Sequence, residues 1–550
     1  MKKILILLLI CNYVCISLNA QYLNTYQLYE QFTLQEAVDY LNNEGVPAAL
    51  IPMSNGLKSY KITYNTVGWD SLPTQASGVV FVPAGVTCHS PLMVYNHGTI
   101  LKKNQAPSMG GGEYVIGVAM AADAMVVAMP DYLGLGTSPG IHPYHHAHSE
   151  ATCVIDMIRA TRELMQVLSY ELNGQVFLTG YSQGGHVTMA AHKLIESHFS
   201  NEFDIAASAP LSGAYQLSGV QAEVISQDSS YGAPGYLPFI INTFNTVYQL
   251  YPSYSDIYKP PYDVIVPGYF NGNFSIGQLE SVIPDTPNVI LLPSVLADFN
   301  NNPSNVFRQA LEDNDVYDWT PVSPTRMYYC EADHLVTYLN SIEAKNAMHA
   351  NGATQVEAIS ANLTANHQDC ALFALLNTKF YFETFRTDRF QSEINVTNAS
   401  SQNMNDAVLT ALPLGGFGPY TFQWNGGQTD SVLSQQTPGN YTVLITDANG
   451  CTSEAFASVG VMFTNNYKLS DEIHVFPNPT NGLFYIEFTI PPSFQGLCVL
   501  TTLSGEIVKY QVLETDADIV PVDVSSLAKG SYLLSVYKNG IRRGMKILVQ

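Results

Sequence analysis

Apolar and polar positions follow two regimes along this chain. From about residue 60 to 370, short apolar or β-branched runs stand at 60–67, 79–82, 92–95, 125–129, 175–179, 204–209, 327–330 and 355–359, most of them bounded by Gly, Pro or Asn. Runs of that length and composition read as strands of a buried parallel sheet. Between two of them, Val154, Ile155, Ile158, Leu164 and Val167 recur at helical spacing within residues 149–168. Strands and helices in alternation predict a doubly wound α/β sheet. The interval 211–325 breaks the rhythm. It is rich in Tyr, Pro, Phe and Asn, with short apolar helical pieces at 237–250 and 306–311. A stretch that long exceeds a connection, so it predicts an inserted, mainly helical cap over the C-terminal edge of the sheet. After about residue 392 the helical signals stop. Short strands alternate with Gly/Asn turns to residue 459, and a linker at 465–471 leads into a second all-β stretch ending at 550. Each stretch has the size of one small β-sandwich.

Composition narrows the partners. A chain of 550 residues predicts about two to four domains. With 46% hydrophobic and 13% charged residues it is a packed globular chain. The formal net charge of −23 sets it against phosphate backbones and anionic lipid, which excludes nucleic acid as a partner. Residues 1–20 read as a secretory signal: Lys2 and Lys3, an apolar run over 4–10, and Leu18-Asn19-Ala20 before a cut at Gln21. No later stretch is long and apolar enough to span a bilayer. Of the eight cysteines, Cys11 and Cys15 leave with the signal. Cys88, Cys153, Cys330, Cys370, Cys451 and Cys498 remain, widely spaced with no C-x-x-C pair, so a zinc site is not expected. Export permits disulfides.

The chemistry centres on a serine. The run 175–179 leads into Gly180-Tyr181-Ser182-Gln183-Gly184-Gly185, and a helical run follows over 186–197. This is G-x-S-x-G between a strand and a helix, the setting in which the serine becomes a nucleophile on a sharp turn. Glycines flank it because side chains there would clash with strand or helix. A serine needs a base, and the chain order Ser, acid, His selects Asp333, in the turn after 327–330, and His367, in the loop after 355–359. His367 is the expected general base, and Asp333 the residue that fixes its tautomer. Glu331 stands as an alternative acid, and His334, out of order, as an alternative base. Cys330 and Cys370 each lie three residues from one of the pair, and a bridge between them would hold the two loops together. For the oxyanion, the N–H groups of Gln183 and of Thr99, in Asn96-His97-Gly98-Thr99, are the expected donors. His97 reads as a loop-orienting residue. Asp131, in Pro130-Asp131-Tyr132-Leu133-Gly134-Leu135-Gly136, reads as a structural anchor, in a loop that does not match a dinucleotide fingerprint. The histidine-rich run 142–148 reads as packing before a helix cap at Ser149, with no Asp or Cys partner at metal-ligand spacing. No cofactor and no metal are expected.

These motifs together resemble the α/β-hydrolase superfamily, and within it the secretory lipase/esterase group, over residues 40–385. The resemblance implies an α/β-hydrolase sheet with an inserted mainly helical cap, a Ser182–Asp333–His367 triad, and cofactor-free hydrolysis of a small-molecule or lipid ester. Residues 393–461, with Gly418-Pro419-Tyr420, Gly439-Asn440-Tyr441 and Asp447-Ala448-Asn449-Gly450-Cys451, resemble the repeat of bacterial gliding adhesins. Residues 472–550, within a last domain over 466–550, resemble a type A C-terminal sorting domain of type IX secretion, with Phe476-Pro477-Asn478-Pro479 and Lys529-Gly530-Ser531-Tyr532. That implies export across two membranes by the type IX machinery. The expected organisation is a signal (1–20), a catalytic domain (21–392) with its cap at about 211–325, and two small sandwich-like domains. A secreted serine peptidase on the same fold and a non-catalytic surface adhesin are the competing functions.

Overall fold

The structure is a computed structural model. It describes residues 21–459 and 473–550, apart from 49–50, 87, 389, 401–403, 489–495, 503–506, 514–518 and 539–540. The expected signal and the linker at 465–471 lie outside the described residues.

Nine strands form one sheet: β1 (Leu23–Phe32), β2 (Gly56–Val67), β3 (Pro73–Ala84), β4 (Ser90–Asn96), β5 (Val126–Pro130), β6 (Leu172–Tyr181), β7 (Asp204–Leu211), β8 (Thr325–Cys330) and β9 (Val356–Asn362). Their spatial order is β1-β2-β3-β5-β4-β6-β7-β8-β9. From β5 to β9 neighbours run parallel. The central strands carry consecutive apolar side chains through their middles because both faces are covered. Val80, Val82, Leu92, Val94, Val176 and Leu178 join the core on one face, while Val79, Phe81, Met93, Tyr95 and Phe177 join that on the other.

Two expectations need correction. The strands predicted at 60–67 and 79–82 belong to an antiparallel hairpin, not to the parallel part. Only residues 68–72 separate them, and a parallel crossover needs a dozen or more. The turn is closed by the Gly68 N–H donating to the Leu72 carbonyl at 2.8 Å. The pattern also gave no sign of β1, which adds antiparallel to β2 at the edge. Most of its residues are exposed, so it carries no apolar alternation to read.

The cap between β7 and β8 includes the helices Tyr236–Tyr248, Pro293–Asn301 and Val306–Glu312. It has its own core around Leu237, Ile241, Phe244, Tyr258, Ile290 and Leu311. Beyond residue 390 the described residues hold strands and no helix. Two three-stranded sheets enclose Leu409, Trp424, Leu433, Val443 and Ile445. A three-stranded and a four-stranded sheet follow in the C-terminal stretch. No helix among the described residues is long and apolar enough to cross a membrane.

Candidate active site

Strand order reverses where β5 and β6 lie on either side of β4, and a crevice opens at the carboxyl ends of strands at such a point. Ser182 stands there, between β6 and the helix Gln183–His198. Its backbone, at φ 61° and ψ −118°, is in a region L-residues avoid. A Cβ on Gly180 would meet the Asn96 carbonyl oxygen at 2.4 Å, and one on Gly184 would meet it at 1.9 Å. The flanking glycines are therefore required by the approach of β4. The Ser182 N–H is held by the Leu211 carbonyl at 2.9 Å.

Asp333 follows β8, and His367 opens the helix His367–Glu383 after β9. The structure brings both to Ser182. His367 Nε2 lies 2.8 Å from Ser182 Oγ, and its Nδ1 lies 2.6 Å from Asp333 Oδ2. The other carboxylate oxygen of Asp333 accepts the N–H groups of Leu335 at 3.0 Å and Val336 at 2.9 Å. The Tyr181 hydroxyl donates to the His367 carbonyl, and all three side chains are buried. Glu331 and His334 face solvent instead, and His334 lies against Gly232 of the cap. Cys330 and Cys370 are joined by a disulfide with a Cα separation of 5.9 Å, which ties the Asp333 loop to the His367 helix.

The Thr99 and Gln183 N–H groups have no hydrogen-bond partner among the described residues. The loop of Thr99 passes close to the serine, since a Cβ on Gly98 would stand 3.8 Å from Ser182 Cβ. Two acidic residues to which the sequence assigns no role at the site hold these segments. Glu113 accepts the Gly98 N–H with both oxygens at 3.1 Å, and burial pushes its carboxyl up. Glu150 Oε1 accepts the Gln183 side-chain amide at 2.6 Å, and the same amide nitrogen donates to His142 Nε2 at 2.7 Å. His97 bridges the Gly98 and Asp131 carbonyls, in keeping with an orienting role. Asp131 accepts from the hydroxyls of Ser77 and Ser108, as an anchor should.

His142, His145 and His146 of the run are buried while His148 is exposed, and Ser149 is not the helix cap. The helix Ala147–Val167 begins two residues earlier, with His146 at the cap position. A carboxylate does meet these histidines: His145, Glu150 and His186 bring ligand-type atoms within 4.8 Å of one another. Glu150 Oε2 faces His186 Nδ1 at 3.3 Å, and His186 Nε2 faces the Asn314 carbonyl at 3.0 Å. Burial raises and the His186 bond and surrounding imidazoles lower the Glu150 carboxyl, for a net position of about 2.

Burial outweighs the attraction of Glu150 and pushes His142 and His146 each down to about 4. Histidines of an unfolded chain protonate near about 6.5. Between those values the unfolded state binds more protons, so stability is lost as pH falls through the window. The calorimetric midpoint of unfolding is therefore expected to drop steadily from about pH 6.5 to about pH 4. A midpoint constant over that range would contradict the burial of neutral imidazoles.

A cleft with about 400 Å³ of empty space lies over Ser182, walled on the cap side by Leu217, Ile225, Tyr231, Tyr236 and Ile240. Ile225 also borders an apolar pocket in the cap, lined by Leu237, Ile241, Leu296 and Phe307 among others.

A serine on a strained strand-to-helix turn, hydrogen-bonded to a histidine and through it to an aspartate at one sheet rim, defines an α/β hydrolase. Solved structures agree. The rice cell wall degrading esterase LipA from Xanthomonas oryzae, in a ligand-bound form, is 30% identical; the match covers 66% of this chain and 99% of LipA with a TM-score of 0.59. A hydrolase of Legionella pneumophila (24% identity, 66% and 98% covered, TM-score 0.63) and the closed Candida antarctica lipase A (15%, 66% and 81%, 0.51) share the fold. The secretory lipase family model matches residues 110–263, and that of the secretion system C-terminal sorting domain matches residues 474–550. No curated protein matches the chain. The chain belongs to the secretory lipase family and is a secreted or cell-surface carboxylic ester hydrolase.

Proposed function

We propose that this enzyme hydrolyses esters of apolar acyl groups through a Ser182 acyl-enzyme. Ser182 Oγ attacks the ester carbonyl while His367 Nε2 takes its proton, and Asp333 stabilises the imidazolium that forms. The Thr99 and Gln183 N–H groups hold the developing oxyanion. His367 then gives the proton to the departing alcohol, and water attacks the acyl-enzyme with His367 again as base. The observation that carries this reading is the unbroken hydrogen-bonded chain Ser182–His367–Asp333 at the floor of the cleft. Ile225, between the cleft and the apolar cap pocket, supports an acyl chain as the group received there. The C-terminal sorting domain would hand the chain to the type IX secretion machinery.

Labelling with a fluorophosphonate, followed by peptide mapping, tests the nucleophile. The label is expected on Ser182, with turnover of p-nitrophenyl esters far above that of the matching anilides. Label on another residue, or none on a folded protein, would refute the assignment. Preference for the anilides would point to a peptidase.

A further inference from the structure

Two cysteines that the active site does not use meet across the boundary between the catalytic sheet and the first small β unit. Cys88 lies just before β4 (Ser90–Asn96). It is therefore at the amino end of the parallel strands, opposite the rim that carries Ser182. Cys451 closes the turn between the strands Gly439–Thr446 and Thr452–Val459. Cys88 packs against the core of that unit, whose buried members include Phe390, Trp424, Val443 and Cys451 itself. Cys451 is 3% exposed. Burial, and then the Cys88 thiol beside it, push its thiol pKa up.

Both partners are held in place. Asp447 accepts the Cys451 N–H at 2.8 Å and the Asn449 N–H at 2.9 Å with one oxygen, and the Phe417 N–H at 3.0 Å with the other. The chain leading into the β unit is fastened at the same edge of the sheet as Cys88. Gln175, near the start of β6, donates to the Phe385 carbonyl at 2.8 Å and accepts the Thr387 N–H at 2.9 Å. Asn173 donates to Thr387 Oγ1 at 3.2 Å. The β unit is therefore docked on the base of the sheet, and the docking sets the two thiols side by side.

We propose that Cys88 and Cys451 form a disulfide in the exported protein, fastening the small β unit covalently to the catalytic sheet. An oxidising protein disulfide of the export route accepts the electrons. One cysteine thiolate attacks it to form a mixed disulfide, and the second displaces the carrier. Two protons and two electrons leave the pair, and the carrier departs as a dithiol. The oxidising side of the inner membrane is where such a bond persists. Together with Cys330–Cys370 it places one cross-link at each end of the catalytic sheet. The base-side link turns hydrolase and β unit into one body instead of two joined by a strand of chain.

The test is peptide mapping of the full-length protein recovered after export, alkylated with iodoacetamide before any reductant is added. The expected product is one species containing the Cys88 and Cys451 peptides, lighter by two hydrogens than their sum and separated by reduction. The Cys330–Cys370 pair in the same digest reports that oxidising conditions were kept. Recovery of Cys88 and Cys451 both alkylated while that pair is intact overturns the proposal, as does either cysteine bridged to another residue. A second readout uses Cys88→Ser, distant from the cleft, with ester turnover expected to match wild type. After nicking between 384 and 391, the wild-type fragments should stay together on a denaturing gel without reductant and those of C88S should separate. Fragments that separate equally in both proteins also overturn it.

Discussion

Replacing Ser182 with alanine is expected to lower kcat for p-nitrophenyl ester hydrolysis about a million-fold, the scale on which serine hydrolases lose their nucleophile. The change removes the atom to which the proposed mechanism assigns the attack and, with it, the 2.8 Å contact to His367 Nε2. It leaves the elbow intact, because the Ser182 N–H still reaches the Leu211 carbonyl at 2.9 Å and Gly180 and Gly184 still admit β4. The variant should therefore fold, bind ester in the cleft, and keep the weak acceleration that the Thr99 and Gln183 donors give to attack by water, roughly 10³-fold over solution. KM is expected to change little, since the acyl contacts with Ile225 and its neighbours do not involve the hydroxyl. Fluorophosphonate labelling should vanish with the turnover. A folded Ser182→Ala protein that retained more than about 1% of wild-type kcat would mean that another group carries out the attack.

How much of this could be read from the sequence depends on which signals are local. The strands β4 to β8 were legible because burial on both faces leaves mostly apolar runs, and Ser182 because its motif stands in consecutive residues between a strand and a helix. Asp333 and His367 followed from chain order alone, each at the end of a strand. The edge strand β1 was not legible, since its side chains face water and its place is set by pairing with β2. The hairpin of β2 and β3 escaped the sequence because the apolar run at 79–82 marks only the end of β3, which starts at Pro73 and leaves a five-residue connection. Glu113 and Glu150 were missed for a different reason. Each is recruited across the fold, Glu113 to the Gly98 backbone and Glu150 to Gln183 and His186. Glu150 lay beside a histidine run that was read as packing. That reading holds for the burial of His142, His145 and His146, but it overlooked the carboxylate they surround.

The Cys330–Cys370 link belongs to the same argument about local and distant signals. One cysteine stands three residues from Asp333 and the other three from His367, a spacing visible in the sequence, and the bond fixes the separation of the two loops. Cys88 and Cys451 lack such a cue. One lies before a catalytic strand and the other in a β turn far along the chain, and only the docking of the β unit brings them together. A pairing assigned from spacing alone would have passed over them.

Asp333→Asn is expected to cost about 10⁴ in kcat while leaving the protein folded, and the reason lies in which end of the new amide can face the histidine. Asp333 Oδ1 accepts the N–H groups of Leu335 and Val336. Two backbone donors cannot be met by an amide NH₂, so the asparagine oxygen must take that side and its NH₂ must point at His367 Nδ1. Nδ1 then has to accept, which moves the ring proton to Nε2. The ring would present an N–H to Ser182 Oγ where it should present a lone pair, and the serine proton would have no base to receive it. The loss should fall on kcat, with KM close to wild type, and fluorophosphonate labelling should slow by a similar factor because it uses the same base. An Asp333→Asn variant within tenfold of wild-type kcat would show that the carboxylate does not set the tautomer of His367, and the proton path drawn from these three side chains would have to be abandoned.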